Sequence, residues 1–258
     1  MLITGATGGL GHAIALAFAA RGANLILTGR RGDVLESLAA QVGGRALPCD
    51  LARREEVDSL IEETSAIPVD VLVANAGLPA TGLLTALPQD KIDRMLEVNL
   101  RAPVALARGL APGMMQRRHG HMVFMSSLSG KAASASSSLY AATKFGLRGF
   151  ALSIREDLRP YGVGASVVLP GFIRDAGMFA DANVRLPPGI GTRTSQDVAA
   201  AVISAIERNR AEVEVAPATL RLGAAVAGAA PAFAARGQRL LGGRRLAANL
   251  ASGQRSKH

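Results

Sequence analysis

The chain is short of cysteine, aromatics and long apolar runs. Of its 258 residues one is cysteine, none is tryptophan, two are tyrosine, and aromatics make up 3%. A single cysteine excludes an intrachain disulfide, and Cys49 reads as a small buried hydrophobe. The four histidines (His12, His119, His121 and His258) and Cys49 show no metal-ligand spacing, so no metal site is expected. No uninterrupted apolar run approaches the roughly 18 to 20 residues of a membrane span. Charged residues, at 19%, are too few for a disordered polyampholyte. No basic n-region or cleavage site precedes the strand-like opening Met1-Leu2-Ile3-Thr4, so a cytoplasmic location is the expectation.

What the chain does have is aliphatic residues and arginine. Hydrophobic residues reach 49%, and with so few rings the core must be built from Ala, Leu, Val and Ile. The net charge is +9, and its location matters. From Arg208 onward nine Lys/Arg face only Glu212 and Glu214, which places +7 of the +9 there. Such a stretch suits an anionic lipid or an acidic ligand, or is simply a solvated face. From Arg236 on there are no aromatic side chains between the arginines to stack bases, so no nucleic-acid partner is expected.

Strand-length apolar runs alternate with helical stretches. Leu2–Thr4, Asn24–Thr28, Arg45–Cys49, Val69–Ala74, His121–Ser126, Gly164–Leu169 and Val213–Ala216 read as strands, mostly without polar alternation, as strands covered on both faces should be. Gly11–Arg21, Val34–Val42, Arg53–Ser65, Gln89–Arg117, Ser138–Arg159 and Ser195–Asn209 read as helices. Asp33 with Glu36 has the form of a capping box, and Thr194 with Asp197 is a weaker version. The alternation predicts an α/β fold: a Rossmann-type, doubly wound parallel sheet of about seven strands flanked by helices. A single domain is expected over 1–216, with a basic, Ala/Gly/Arg-rich extension over 217–258. Phe172–Arg193, with Pro187-Pro188-Gly189, reads as a long loop over the carboxyl edge of the sheet.

Thr4-Gly5-Ala6-Thr7-Gly8-Gly9-Leu10-Gly11 lies between the first strand and the first helix. Glycines there let backbone approach a pyrophosphate, and the helix N-terminus supplies free N–H groups and a positive dipole. The second strand ends Thr28-Gly29-Arg30-Arg31. An acidic residue at that place would accept the ribose 2′-OH of NAD; two guanidiniums instead suit a 2′-phosphate, unless they are ordinary surface arginines. NADP(H) is the preferred cofactor.

Ser126-Ser127 closes the fifth strand, and Tyr140 and Lys144 follow at i and i+4 on one helical face. A free phenol titrates near 10. A lysine charge about 4 Å away, at an effective dielectric of roughly 20, is worth about 4 kcal/mol, or roughly three pKa units. The phenol is then expected to titrate near neutrality, where a general acid/base works best.

In this order the motifs resemble the classical short-chain dehydrogenase/reductase family over about residues 1–216. The resemblance implies a cofactor site made by Gly5, Thr7, Gly8, Gly9, Leu10 and Gly11, by Arg30 and Arg31, and by Asp50 and Leu51, with Asp50 at the adenine amine. Asn75-Ala76-Gly77 would steady the sheet and line the adenosine ribose, and Pro170-Gly171-Phe172-Ile173 would flank the nicotinamide. Ser127, Tyr140 and Lys144 match the catalytic serine, tyrosine and lysine, and Asn99 the helix asparagine that supports a proton relay through water. Hydride would pass from NADPH to a carbonyl carbon, Tyr140 would protonate the oxygen, and Ser127 would position it. Lys144 would hold the nicotinamide ribose and lower the phenol pKa.

Two features depart from the pattern. Asp175 stands where the family often has a threonine that touches the carboxamide. Beyond Ala216 the resemblance stops, and the apolar Leu220–Ala235 reads as a cover for a substrate cleft, a subunit contact or a membrane-surface segment. Each weakly favours a lipophilic carbonyl or alcohol substrate. The resemblance also implies a homo-oligomer. The competing readings are a non-catalytic NADP(H) sensor or scaffold and, within the family, a 3-oxoacyl-type reductase.

Overall fold

The computed structural model describes residues 1–79, 82–182, 191–233 and 236. Seven parallel strands form one sheet in the order β3-β2-β1-β4-β5-β6-β7. They are β1 (Leu2–Thr4), β2 (Ile26–Gly29), β3 (Arg45–Pro48), β4 (Val71–Ala74), β5 (Gly120–Met125), β6 (Val163–Pro170) and β7 (Glu212–Val215). Parallel neighbours need crossovers, and these are helices: α1 (Gly9–Ala19), α2 (Gly32–Val42), α3 (Arg54–Ser65), α4 (Gln89–Leu96), α5 (Ala102–Arg117), α6 (Ser138–Leu158) and α8 (Ser195–Glu207). The expected doubly wound fold is the observed one.

The two faces of the sheet are read off adjacent residues. Leu2, Leu72, Phe124 and Val167 pack with Leu60 of α3, Leu106 and Met114 of α5 and Leu147 of α6. Their neighbours Ile3, Val73, Val123 and Val168 pack on the other side with Ile14 of α1, Leu35 of α2 and Val202 of α8. Period-two alternation thus feeds two separate cores, which is why the strands are apolar throughout.

Four local expectations are corrected. Gln89–Arg117 is not one regular helix: Glu97–Arg101 is a π turn between α4 and α5. Pro103, in the first turn of α5, has no N–H to give the Asn99 carbonyl four residues earlier, and Ala102 N–H reaches back to the Glu97 carbonyl. The Asp33/Glu36 box is not formed, because α2 begins two residues sooner, at Gly32, and leaves Asp33 inside the first turn. The weaker signal is the real one: Thr194 and Asp197 make a complete capping box on α8. In the segment Phe172–Arg193 a short helix, α7 (Gly177–Ala182), follows β6, and Ile173 bridges to Arg193. Residues 183–190 of that segment lie outside the described residues. After Pro217 the chain forms a further helix, α9 (Ala218–Ala229); 237–258 lie outside the described residues.

Candidate active site

The chain reverses its winding between β1 and β4, and open α/β sheets bind ligands beyond the strand ends at such a reversal. The two ends are laced together by side chains. Thr4 Oγ1 accepts the N–H groups of Asn75 and Ala76, both at 3.0 Å. Asn75 Nδ2 donates to the carbonyls of Thr4 at 3.0 Å and Gly5 at 3.3 Å. Gly5 turns the chain with φ +64°, and a Cβ there would lie 2.8 Å from Ala76 Cα. Only glycine fits this turn.

Helix α1 starts at Gly9 with no side chain capping its free N–H groups and no acid in its first turn. That end is an anion site by construction. Arg30 and Arg31 leave β2 beside it, both exposed, and the Arg31 guanidinium donates to the Thr7 carbonyl inside the glycine turn. Asp50, at the end of β3, is engaged by Arg94 of α4, whose Nη2 reaches both carboxylate oxygens at 2.8 and 3.1 Å. Burial works against ionisation there, but the bonds from Arg94 and Ala52 outweigh it and hold the carboxyl below its ordinary value. The Leu51 side chain is buried in the core, so only its backbone is available to a ligand.

Further along the same edge of the sheet α6 presents Tyr140 and Lys144 one turn apart. Lys144 Nζ is 5.7 Å from the Tyr140 ring centroid and donates to the Met125 carbonyl at 2.8 Å. Ser127 Oγ accepts the Ser129 N–H at 3.1 Å and lies 3.4 Å from the Pro170 carbonyl. The turn that carries Ser127 sits hard against α6: a Cβ on Gly130 would be 2.5 Å from Ser126 Oγ and 2.7 Å from the Lys144 carbonyl. Asn99, in the π turn, exchanges two hydrogen bonds with the backbone of Leu78, at 2.7 and 2.9 Å, and donates to Thr143 at 3.3 Å. Its amide is fully employed in fixing the segment after Gly77. Gly77 borders Lys144 Nζ, which a Cβ would approach to 3.4 Å.

One sequence-based expectation fails here. The Tyr140 phenol does not titrate near neutrality in the free protein. Burial pushes it up to about 12, with Ser127 pulling the other way. Lys144 is buried too, and burial lowers it to about 8. The dielectric assumed from the spacing was too watery: the pocket that brings the two groups together also desolvates both.

Asp175 also resolves. Its carboxylate accepts the N–H and the hydroxyl of Ser195, at 2.9 and 3.0 Å, in the first turn of α8. The charge is therefore spent on a helix N-terminus. The next residue, Ala176, covers the glycine turn, where a Cβ on Gly9 would meet Ala176 Cβ at 2.6 Å. Ile173 is buried in the core on the same side.

Residues 1–186 match the family model described as short chain dehydrogenase. The chain belongs to the short-chain dehydrogenase/reductase family. Nodulation protein G of Rhizobium sp. is 39% identical over 179 residues, 68% of this chain and 73% of that protein. Ketoacyl reductase HetN of Nostoc sp. is 36% identical over 222 residues, covering 83% and 77%. Among solved structures, a short-chain dehydrogenase from Sphingobium yanoikuyae in complex with NADPH superposes with a TM-score of 0.77 at 26% identity, covering 95% of this chain and 92% of that one. A metagenomic short-chain oxidoreductase in complex with NADP is 30% identical with a TM-score of 0.70, covering 84% and 95%.

In this short-chain dehydrogenase/reductase several supporting residues were not singled out from sequence. Thr4 stands only as the first residue of the glycine turn, and nothing local marks Thr143, Arg94 or Ser195. Lys131, just after the Ser127 turn, joins Glu212 at 2.6 Å and Glu214 at 2.5 Å. Arg148 of α6 and Arg221 of α9 complete the network on the same two glutamates. It ties the turn beside Tyr140 to the edge strand and to α9. No group of His, Cys, Asp and Glu among the described residues could hold a metal ion, and no described helix is long and apolar enough to cross a membrane.

Proposed function

We propose that this chain is an NADP(H)-dependent oxidoreductase interconverting a carbonyl and a secondary alcohol on a lipophilic substrate. The observation that carries the reading is an uncapped glycine turn after β1 and, on the same edge of the sheet, Ser127 after β5 with Tyr140 and Lys144 on α6. The residues present fit the cofactor: Gly5, Thr7, Gly8, Gly9, Leu10 and Gly11 for the pyrophosphate, Asn75, Ala76 and Gly77 along the ribose, Pro170, Gly171 and Ile173 beside the nicotinamide. Arg30 and Arg31 favour a 2′-phosphate, and relatives solved with NADPH and NADP support it. When bound, the cofactor supplies the hydride. Tyr140, protonated throughout the neutral range, gives its proton to the carbonyl oxygen. Ser127 Oγ orients that oxygen, and Lys144 holds the nicotinamide ribose and passes protons on toward Asn99.

The rim supports an apolar substrate. Residues 82–88 and 132–140, on either side of the site, contain no charged residue, and Leu83 and Leu84 are exposed. A 3-oxoacyl thioester is the second reading, favoured by the ketoacyl reductase relative and by the 3-oxoacyl-[acyl-carrier-protein] reductase of Rickettsia prowazekii, 34% identical over 180 residues. Exposed Leu96 and Phe145, on α4 and α6, support a homo-oligomer, and we infer a cytoplasmic enzyme. A sensor without turnover has no need of the complete set of Asn99, Ser127, Tyr140 and Lys144.

The test is consumption of NADPH and NADH against ketones of graded size and a 3-oxoacyl thioester. Turnover is expected with NADPH and with apolar ketones. Charge-assisted contacts are worth roughly 1.5–3 kcal/mol, so R30A/R31A is expected to raise KM for NADPH about 10- to 100-fold and leave NADH nearly unchanged. Tight NADPH binding without turnover on any carbonyl would favour the sensor.

A further inference from the structure

The edge strand β7 breaks the apolar pattern of the sheet. It reads Glu212-Val213-Glu214-Val215, and alternation sends the two valines to the side of α1 and α8, where they pack. The glutamates face the other side, that of α6, where their register partners Val167 and Leu169 enter the core. Their side chains are only 19% and 13% exposed. Carboxylates so shielded need cations, and Lys131, Arg148 and Arg221 supply them.

Glu212 serves two elements with separate atoms. Its Oε1 takes Lys131 Nζ at 2.6 Å and its Oε2 takes Arg148 Nε at 2.5 Å. Lys131 ends the short turn that begins at Ser127. In that turn Gly130 N–H donates to the Ser127 carbonyl at 2.8 Å, and Lys131 N–H to the Leu128 carbonyl at 2.9 Å. Arg148 lies on α6, one turn beyond Lys144 and two beyond Tyr140. One carboxylate thus grips both the turn that carries the serine and the helix that carries the tyrosine and lysine.

We propose that Glu212 is a positioning residue, whose bridge to Lys131 and Arg148 sets the spacing between Ser127 Oγ and the Tyr140 hydroxyl. The inference rests on the oxidoreductase reading above and adds to it a residue beyond 1–186, the part that the family model matches. Stability alone is a poor account of the cluster. Desolvating charges costs about what their attraction returns, so apolar residues would hold β7 to α6 as well. What the ions add is direction, since a carboxylate with both oxygens engaged fixes two partners at once. Direction matters because a misplacement of about 1 Å can cost a reaction about 10²-fold.

Glu212→Gln is the decisive variant: it keeps length and volume but leaves one acceptor oxygen for two donors. It is expected to cut turnover of NADPH with a ketone about tenfold, with NADPH affinity by fluorescence titration and the thermal melt unchanged. Lys131→Met leaves Glu212 with Arg148 and Glu214 with Arg221, so its fold is expected to survive and its turnover to fall equally. Lys131→Arg is expected to restore most of the loss. In a Ser127→Ala background, followed by single-turnover oxidation of NADPH, Glu212→Gln is expected to cost nothing further, because its effect runs through Ser127. Full turnover in Glu212→Gln would overturn the inference. So would a loss that persists undiminished without the Ser127 hydroxyl, or an NADPH affinity that falls in step with turnover. A wild-type chain that turns over no carbonyl would overturn the oxidoreductase reading and this inference with it.

Discussion

Asp175 and Ser195 stand 20 residues apart in sequence and meet through two hydrogen bonds, one to the backbone N–H and one to the hydroxyl of Ser195. The contact fastens the segment after β6, with Ala176 lying on Gly9, to the first turn of α8. Asp175→Ala removes a cap-like contact of about 1 kcal/mol, so a melting point lower by a few degrees is expected. NADPH binding should weaken several-fold as the strap over the glycine turn loosens. Asp175→Asn keeps an acceptor for the N–H and is expected to restore most of both. A melting curve and a fluorescence titration with NADPH decide it; full NADPH affinity in the alanine variant would leave Asp175 a helix cap only.

Tyr140 at about 12 and Lys144 at about 8 set the pH dependence of the free protein. The tyrosine keeps its proton from pH 6 to 9 and contributes no limb there. Lys144 loses its charge as pH rises through about 8, so kcat/KM for NADPH, which reports on the free protein, is expected to fall above that value. A limb near pH 6.5 with a flat alkaline side would contradict these assignments.

How much of this was legible in the sequence depended on distance along the chain. The turn from Thr4 to Gly11 and the Tyr140–Lys144 pair are local, because a glycine turn and an i,i+4 face are properties of a few consecutive residues. Both appear as read. The partners of Asp50 and Asp175 are 44 and 20 residues away, and nothing near either acid announces Arg94 or Ser195. The π turn at Asn99 had a signal in Pro103, four residues on, which a helical periodicity hides. The pKa of Tyr140 went wrong because burial is a tertiary property that spacing cannot supply. Helix α9 carries Gly223 and Gly228 among its alanines, and glycine inside the stretch weakens the helical signal that alanine gives.

At the opposite edge of the sheet His121 Nε2 lies 2.7 Å from Ser166 Oγ, which donates to the Arg210 carbonyl at 2.5 Å. With that hydroxyl proton committed, the imidazole carries its own proton on Nε2. Burial, helped by Arg155, lowers His121 from 6.5 to about 4. The unfolded chain therefore takes up a proton below pH 6.5 that the folded chain refuses. Stability from this site is whole above about pH 6.5 and drains away as pH falls toward 4, by about 3 kcal/mol in all. Urea unfolding of His121→Gln between pH 7 and 4.5 is expected to lose less stability than the wild type. Parallel losses would place the acid sensitivity elsewhere.

The central claim is that the Tyr140 hydroxyl delivers the proton. The direct measurement is turnover of Tyr140→Phe with NADPH on the best ketone, beside its affinity for NADPH. Removing a positioned general acid costs about 10²- to 10⁴-fold, so turnover should fall by that factor while NADPH affinity stays within a few-fold of wild type. A phenylalanine variant that keeps more than about a tenth of the turnover, far above that range, would contradict the account.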